Sequence, residues 1–390
     1  MKIIATLNKY LSFQLIPLYI VSMLIPLTIY GRAVGAEIKW GTYLVLFMLA
    51  RMLINNVNSS FAFVHPTTTI KAIRLFSAVA GISCLNLFFT GVDQPFYMSM
   101  YSMLPYVLIY FLYKECKRTP KAYEYLIAYS LVLLVLGFYR YFRQEAVLDV
   151  IGREQSSSNA FYFALMPLPC VLLIKKNWVK VLALALVATV CIMSLKRTAL
   201  VVVSVIVFMM FYQSVKTNKK MFFLIVVALV LGIYKYGGMM VERIDTIMFR
   251  LESIKDDGGS GRSDIYHDFL TQDIHDIFSL PEFIIGKGYR AFSRTHNYNL
   301  ETVHNDYLEF TYAYGIPGLI FMIWLLFRLV KNLKVLNNED FSFKNAYWCF
   351  LFVFVVYSMT GGIFSFIFTS IPLYVFIALA EYRIQYDTGY

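Results

Sequence analysis

Apolar residues run in blocks of about 15–20 along nearly the whole chain, separated by short polar connections. As helix, a block of that length crosses a hydrocarbon core roughly 30 Å thick. The pattern predicts helices near 11–30, 38–56, 72–90, 97–113, 123–141, 159–174, 179–194, 198–213, 220–236, 307–328, 345–360 and 363–380. Arg51 interrupts the second, and only Thr360-Gly361-Gly362 separates the last two. One polar interval, from about Gly237 to Val303, breaks the rhythm. Within it, Asp256-Asp257-Gly258-Gly259-Ser260-Gly261 reads as flexible, whereas Arg262 to Phe278 has helical spacing. Ile265, Phe269 and Ile274 fall near one face there, and Gly261 before Arg262 and Asp264 suits a helix start. The predicted fold class is therefore all-α: a polytopic integral membrane protein with about a dozen transmembrane helices and one large extracytoplasmic loop containing short helices. Transmembrane helices fill 1–236, the loop is 237–305, and 306–390 holds the remaining helices and a cytoplasmic C-terminus.

Composition agrees with this. Of the 390 residues 59% are hydrophobic and 15% charged, against about 25% charged in soluble proteins. Lys2 and Lys9 precede the apolar run Leu11 to Tyr30, which is long for a signal peptide and lacks an A-x-A cleavage site. It reads as a retained first helix. The net charge of +11 sits mostly in short connections between apolar blocks. Lys114, Lys117, Arg118 and Lys121, then Lys175 and Lys176, then Lys216, Lys219 and Lys220 mark alternate connections as cytoplasmic by the positive-inside rule. Both termini are then cytoplasmic. No basic helix or aromatic-basic repeat tracks a phosphate backbone, so nucleic acid is not an expected partner. Cys84, Cys116, Cys170, Cys191 and Cys349 form no CxxC pair and none lies in the large loop, so neither a disulfide framework nor a zinc site is expected. The 34 Phe and 30 Tyr are read mostly as lipid-facing bulk and interfacial belt.

Cations on the opposite, non-cytoplasmic face run against the orientation rule and need another reason to be there. Beyond a mixed first connection with Arg32, Glu37 and Lys39, they include Arg140, Arg143 and Arg153, then Lys196 and Arg197 in the hairpin Ser194 to Thr198, then Arg243, Arg250, Arg262, Arg290 and Arg294 in the loop. Arg140 and Arg143 suit interfacial charges, and Arg197 suits either a snorkelling cation or an anion ligand. The densest local pattern is Gly286-Lys287-Gly288, then His304-Asn305 where the loop meets the next helix, then Gly315, Pro317 and Gly318. Gly286-Lys287-Gly288 is a fragment of a phosphate-cradling loop and weak alone. An imidazole at that depth can move a proton near neutral pH, or simply anchor a helix end; physics alone leaves His304 open between the two. Outward guanidinium groups beside one histidine suit a polyanionic headgroup such as a lipid pyrophosphate.

His304-Asn305, nine residues, Gly315, two residues, Gly318, with Gly286-Lys287-Gly288 and the outward Arg262, resembles the signature region of the O-antigen polymerase and O-antigen ligase superfamily of bacterial envelope proteins. The hairpin Ser194 to Thr198 resembles its short arginine-bearing turn, and Ser158-Asn159 with Pro167 and Pro169 resembles another recurrent patch. The resemblance implies a metal-independent glycosyltransferase in the bacterial inner membrane, with no cofactor, acting on undecaprenyl-pyrophosphate-linked oligosaccharide. His304 would be catalytic. Arg197, Arg262, Arg290, Asn305 and Asn159 would bind the pyrophosphate or glycan. Membrane lipids, a chain-length regulator and a flippase of the same pathway are the implied partners. The compact run from His304 to Ile320 reads more like polymerases than ligases, with ligase the alternative. A flippase or other transporter is the reading from another class, but it would be expected to place charges within the helical bundle instead of in one loop.

The orientation is directly testable. A cysteine at Ser260, in a background without other reactive cysteines, is expected to react with an impermeant maleimide added to intact cells. Labelling only after the membrane is opened would reverse the topology.

Overall fold

The structure is a computed structural model. It describes residues 43, 46–50, 67–82, 100–118, 124, 127–128, 131–132, 134–135, 138–139, 165–193, 197–217, 219–220, 222–223, 225–227, 230–231, 234, 237–238, 265–273, 282–289, 291–292, 304–336, 341–360, 362–364 and 367–387. Among these there is no strand. The helices are α1 (Thr68–Ile82), α2 (Leu104–Arg118), the single turn α3 (Leu168–Val171), α4 (Asn177–Met193), α5 (Arg197–Thr217), α6 (265–273), α7 (Glu282–Ile285), α8 (Asp306–Val335), α9 (Phe341–Thr360) and α10 (Ile367–Asp387). The fold is all-helical, as the apolar blocks predict, and the described positions within 38–56, 123–141 and 220–236 are helical too. The expected helix at 11–30 lies outside the described residues.

One block departs from expectation. Instead of a continuous helix over 159–174, a turn at Met166 and Pro167 precedes α3, and a second turn follows it at Leu172 and Leu173. Pro167 and Pro169 carry no N–H, so helix cannot propagate unbroken through them. The segment is nonetheless buried from Leu165 to Ile174. Its amides find local acceptors: Cys170 N–H and Val171 N–H both donate to the Pro167 carbonyl, at 3.0 and 3.2 Å. This interior knot packs against α4, α9 and α10.

By length and composition α8 alone, among the described residues, suffices to cross a membrane. At 1.5 Å per residue it spans about 45 Å. Its two faces differ in burial and not in polarity. Phe321, Met322, Leu325 and Leu329 are buried, while Ile320, Ile323, Phe327 and Val330 stand exposed in a stripe. A helix that is apolar on its outer face too requires an apolar surrounding, which lipid supplies. α5 repeats the pattern with Val201, Phe208 and Val215 exposed.

α8 packs on α1, α7 and α9, α2 on α1 and α10, and α5 on α4 and α9. Aromatics, expected mostly towards lipid, also fill the interior. Phe76 of α1 stacks on Phe310 and on Phe321 of α8, with centroids 5.6 and 3.9 Å apart. Tyr106 of α2 meets Phe76 edge-on at 5.0 Å. At the far end of α8, Asn332 Nδ2 donates to Glu381 Oε1 at 2.6 Å and the Tyr347 hydroxyl donates to the Leu329 carbonyl at 2.9 Å.

The fold is also tied by one carboxylate. Asp306, fully buried at the start of α8, accepts hydrogen bonds from Ile363 N–H at 2.5 Å and Phe364 N–H at 3.3 Å, in the turn between α9 and α10. A turn at that depth needs acceptors for its amides, and the two carboxyl oxygens supply them. Asp306→Ala strands both donors, at about 1–3 kcal/mol each. It is expected to lower the midpoint of thermal unfolding of the detergent-purified protein, with Asp306→Asn, which retains one acceptor oxygen, falling between. An unchanged midpoint for Asp306→Ala would show that the clamp contributes nothing.

Candidate active site at a loop–helix junction

The first turn of any helix leaves backbone N–H groups without partners. At α8 two of them are met by Asn305, whose extended backbone (φ −150°, ψ 113°) turns its Oδ1 onto Tyr307 N–H at 3.0 Å and Leu308 N–H at 3.3 Å. The residue expected to touch sugar or orient the imidazole thus has a structural reason to be asparagine: it is the helix cap. Directly before it, half-buried His304 has φ 56° and is the non-glycine residue with positive φ among those described. Histidine tolerates the left-handed region better than most side chains, but the conformation still costs on the order of 1–3 kcal/mol. The chain accepts that strain where it turns from the loop into the cap.

Ten residues further on, α8 kinks. Gly315 leaves helical geometry (φ 66°, ψ −160°) and Pro317 comes two residues after it. An α-helix would pair the Ala313 carbonyl with the N–H of residue 317, and proline has none. The break at Gly315 likewise takes the next amide out of register with the Tyr312 carbonyl. Both acceptors are met from outside the helix: Lys287 N–H donates to Tyr312 O at 2.8 Å and Gly288 N–H to Ala313 O at 2.9 Å. Gly286 makes the docking possible. With φ 71° it would, given a Cβ, place that atom 2.4 Å from the Ala313 carbonyl and the Tyr314 nitrogen. A Cβ on Gly315 would meet the Phe283 carbonyl oxygen at 2.4 Å, from the other side of the same contact. Gly318 leaves room for the Phe310 carbonyl.

The reading of Gly286-Lys287-Gly288 as part of a phosphate cradle is corrected by this geometry. Gly286 N–H donates to Glu282 O at 2.8 Å, so all three amides serve carbonyls. The Lys287 ammonium lies 5.1 Å from the centre of the Tyr312 ring.

The loop helix expected near 262–278 is present at 265–273, α-helical at first and then a π-turn from Phe269 to Asp273. The expected inward residues Ile265 and Phe269 are buried, in a cluster with Ala291, Phe292 and Tyr312. Ile274 lies outside the described residues. Tyr312 therefore bonds the loop through its carbonyl, faces Lys287 through its ring, and packs under α6.

Arg197 heads α5, where its backbone is described. Arg262, Arg290 and Asn159 lie outside the described residues, although Tyr289 and Ala291, on either side of Arg290, are buried. Sequence reasoning missed Asp306 and the loop amides. A signal for one of the amides was available: Pro317 leaves the Ala313 carbonyl, four residues earlier, without its helical donor, and an apolar helix must find it another. Among the described residues, no group of three or more His, Cys, Asp or Glu is placed to hold a metal ion.

Residues 182–323 match the protein-family model described as O-antigen ligase. That segment contains the arginine hairpin, the polar interval and the whole junction from Glu282 to Gly318. The resemblance to the O-antigen polymerase and ligase superfamily is borne out by it. No curated protein matches the chain.

The docking contact yields a sharp expectation. Gly286→Ala combines a left-handed backbone with a Cβ inside van der Waals distance of α8, so the loop must lift. Loss of the two amide bonds, at about 0.5–1.5 kcal/mol each, adds to the clash. Hydrogen exchange at Lys287 and Gly288 is expected to accelerate at least tenfold in this variant, while α9 and α10 keep their protection. Unchanged exchange at both amides would show that the loop is held by something else.

Proposed function

We propose that this protein of the O-antigen polymerase and ligase superfamily is a polymerase: a glycosyltransferase that joins undecaprenyl-pyrophosphate-linked oligosaccharide repeat units at the outer face of the bacterial cytoplasmic membrane. The twelve-helix topology, the cytoplasmic termini and the outward position of 237–305 belong to this reading. A hydroxyl of the acceptor glycan attacks the anomeric carbon of the donor's first sugar. The new glycosidic bond forms as the bond to pyrophosphate breaks, and undecaprenyl pyrophosphate leaves with the bonding electrons. His304 takes the hydroxyl proton and later returns it to water. Arg197, Arg262 and Arg290 neutralise the leaving pyrophosphate, which needs cations more than a proton, so one base is enough. Asn159 and Asn305 complete the glycan-binding set. A flippase that delivers the donor and a regulator of chain length, both of the same pathway, are the partners that belong to this reading.

The observation that carries this reading is the strained backbone of His304. Strain of that kind persists where the surroundings over-determine a residue, and it clusters at functional sites. Here the residue adjoins a helix cap, a buried carboxylate and a docked loop. Ligase is the second reading, favoured by the description of the matched family model. The envelope glycan of a deletion strain separates the two. Single repeat units on the acceptor mean a lost polymerase, and full-length polymer stranded on the carrier lipid means a lost ligase.

His304 is tested by two substitutions. His304→Asn keeps a side chain that tolerates positive φ but cannot act as a base. Polymer formation from purified lipid-linked repeat units is expected to fall about 10²–10⁴-fold, with unfolding temperature and donor binding retained. His296→Ala, in the polar interval, is expected to keep its activity. Near-normal turnover in His304→Asn would make His304 an interfacial anchor only.

A further inference from the structure

A cleft of about 300 Å³ shares no lining residue with the loop–helix junction. Ile127 and Leu131 form one wall, and Leu173 and Val179 form the other across the knot that ends α3. Its rim is polar: Lys175 and Lys176, both exposed, stand at the turn into α4, and Glu124, also exposed, faces them from the neighbouring helix. Trp178, one residue before Val179 and 63% exposed, completes an interfacial edge.

An occupant has to satisfy both parts. A peptide would bring backbone N–H and C=O groups against walls that offer them no partner. A free anion would use the lysines and leave the apolar floor to water. An amphiphile uses both, its chain between the walls and its phosphate at the rim. The volume, at the low end of the roughly 300–1,000 Å³ typical of ligand pockets, suits a stretch of one acyl chain. Two ammonium groups against one carboxylate leave a single positive charge, which matches the single negative charge of a phosphodiester headgroup. Basic pockets between membrane helices on the positively flanked side are where anionic headgroups settle.

We propose that this cleft binds one anionic glycerophospholipid of the adjoining leaflet, phosphate on Lys175 and Lys176 and acyl chain along Ile127 and Leu131. The site is independent of the glycosyl-transfer step and needs only that the helices be embedded in lipid.

The test uses the full chain with Trp178 as its only tryptophan (Trp40, Trp324 and Trp348 replaced by Phe), reconstituted in phosphatidylcholine vesicles. Brominated phosphatidylglycerol, phosphatidylethanolamine or phosphatidylcholine is titrated in, and quenching of Trp178 is followed. Phosphatidylglycerol is expected to quench at a mole fraction lower by about fivefold for each lysine engaged. K175Q/K176Q should remove that preference, and Ala128→Phe, which fills the cleft with the lysines intact, should remove it too. E124Q should strengthen it. K219Q/K220Q, a matched pair in another basic connection, should leave it unchanged. Equal quenching by all three lipids in the parent overturns the proposal. So does an equal loss in K219Q/K220Q, which would mean a diffuse surface field. A preference for phosphatidylethanolamine that E124Q abolishes would assign the cleft to a zwitterionic headgroup instead.

Discussion

Two carbonyl groups, those of Tyr312 and Ala313, set the terms for the rest of this structure. In a soluble helix the kink at Gly315 and Pro317 could leave them to water. In a helix that is apolar on every face, each peptide group needs a partner within the protein. The amides of Lys287 and Gly288 are those partners. The consequence is that a segment lying outside the apolar helices becomes part of α8's own hydrogen bonding, and cannot leave without exposing two acceptors. The packing around the contact is then fixed: α7 lies on α8, and Ile265, Phe269, Ala291 and Phe292 close over Tyr312.

The kink also explains how one α1 side chain can hold both halves of α8. Phe310 and Phe321 lie on either side of the break, yet both stack on Phe76. Phe364, in the turn that Asp306 clamps, meets Phe310 edge-on at 5.1 Å and stacks on Tyr106 at 5.7 Å. Aromatic pairs are worth about 0.5–1.5 kcal/mol each beyond burial. They are also directional, and a chain of them joins the α9–α10 turn to the first turns of α8. The start of α8 is where His304 sits.

How much of this was legible in sequence depends on the range of the interaction. Helix existence is written locally, in apolar blocks, and the predicted segments at 97–113, 179–194, 198–213 and 345–360 fall on α2, α4, α5 and α9. The loop helix was legible for the same reason, since the spacing of Ile265 and Phe269 is a local pattern. The knot at α3 was half-legible: Pro167 and Pro169 mark the place, but the apolar block around them outweighs the missing amides in any reading by hydropathy. Asp306 was not legible as a clamp, because its partners lie 57 and 58 residues away. Nor was the docking of Lys287 on Tyr312, for which residue type carries no signal, the donor being backbone. Asn305 stands out as a candidate for chemistry, although local physics, a side-chain oxygen just before a helix, already offers a cap.

Those hydrogen bonds bear on which groups could hold an anion near His304. Backbone amides at a helix start, or in a glycine-rich loop, are the usual cradle for phosphate. Here Tyr307 and Leu308 amides point to Asn305, and the amides of Gly286, Lys287 and Gly288 point to carbonyls. An anion held at this junction therefore draws on side chains and not on these amides. In the proposed reading that part falls to Arg197, Arg262 and Arg290, and the proton to His304. The geometry of the junction thus commits its backbone to building the platform and leaves none of these amides for an anion.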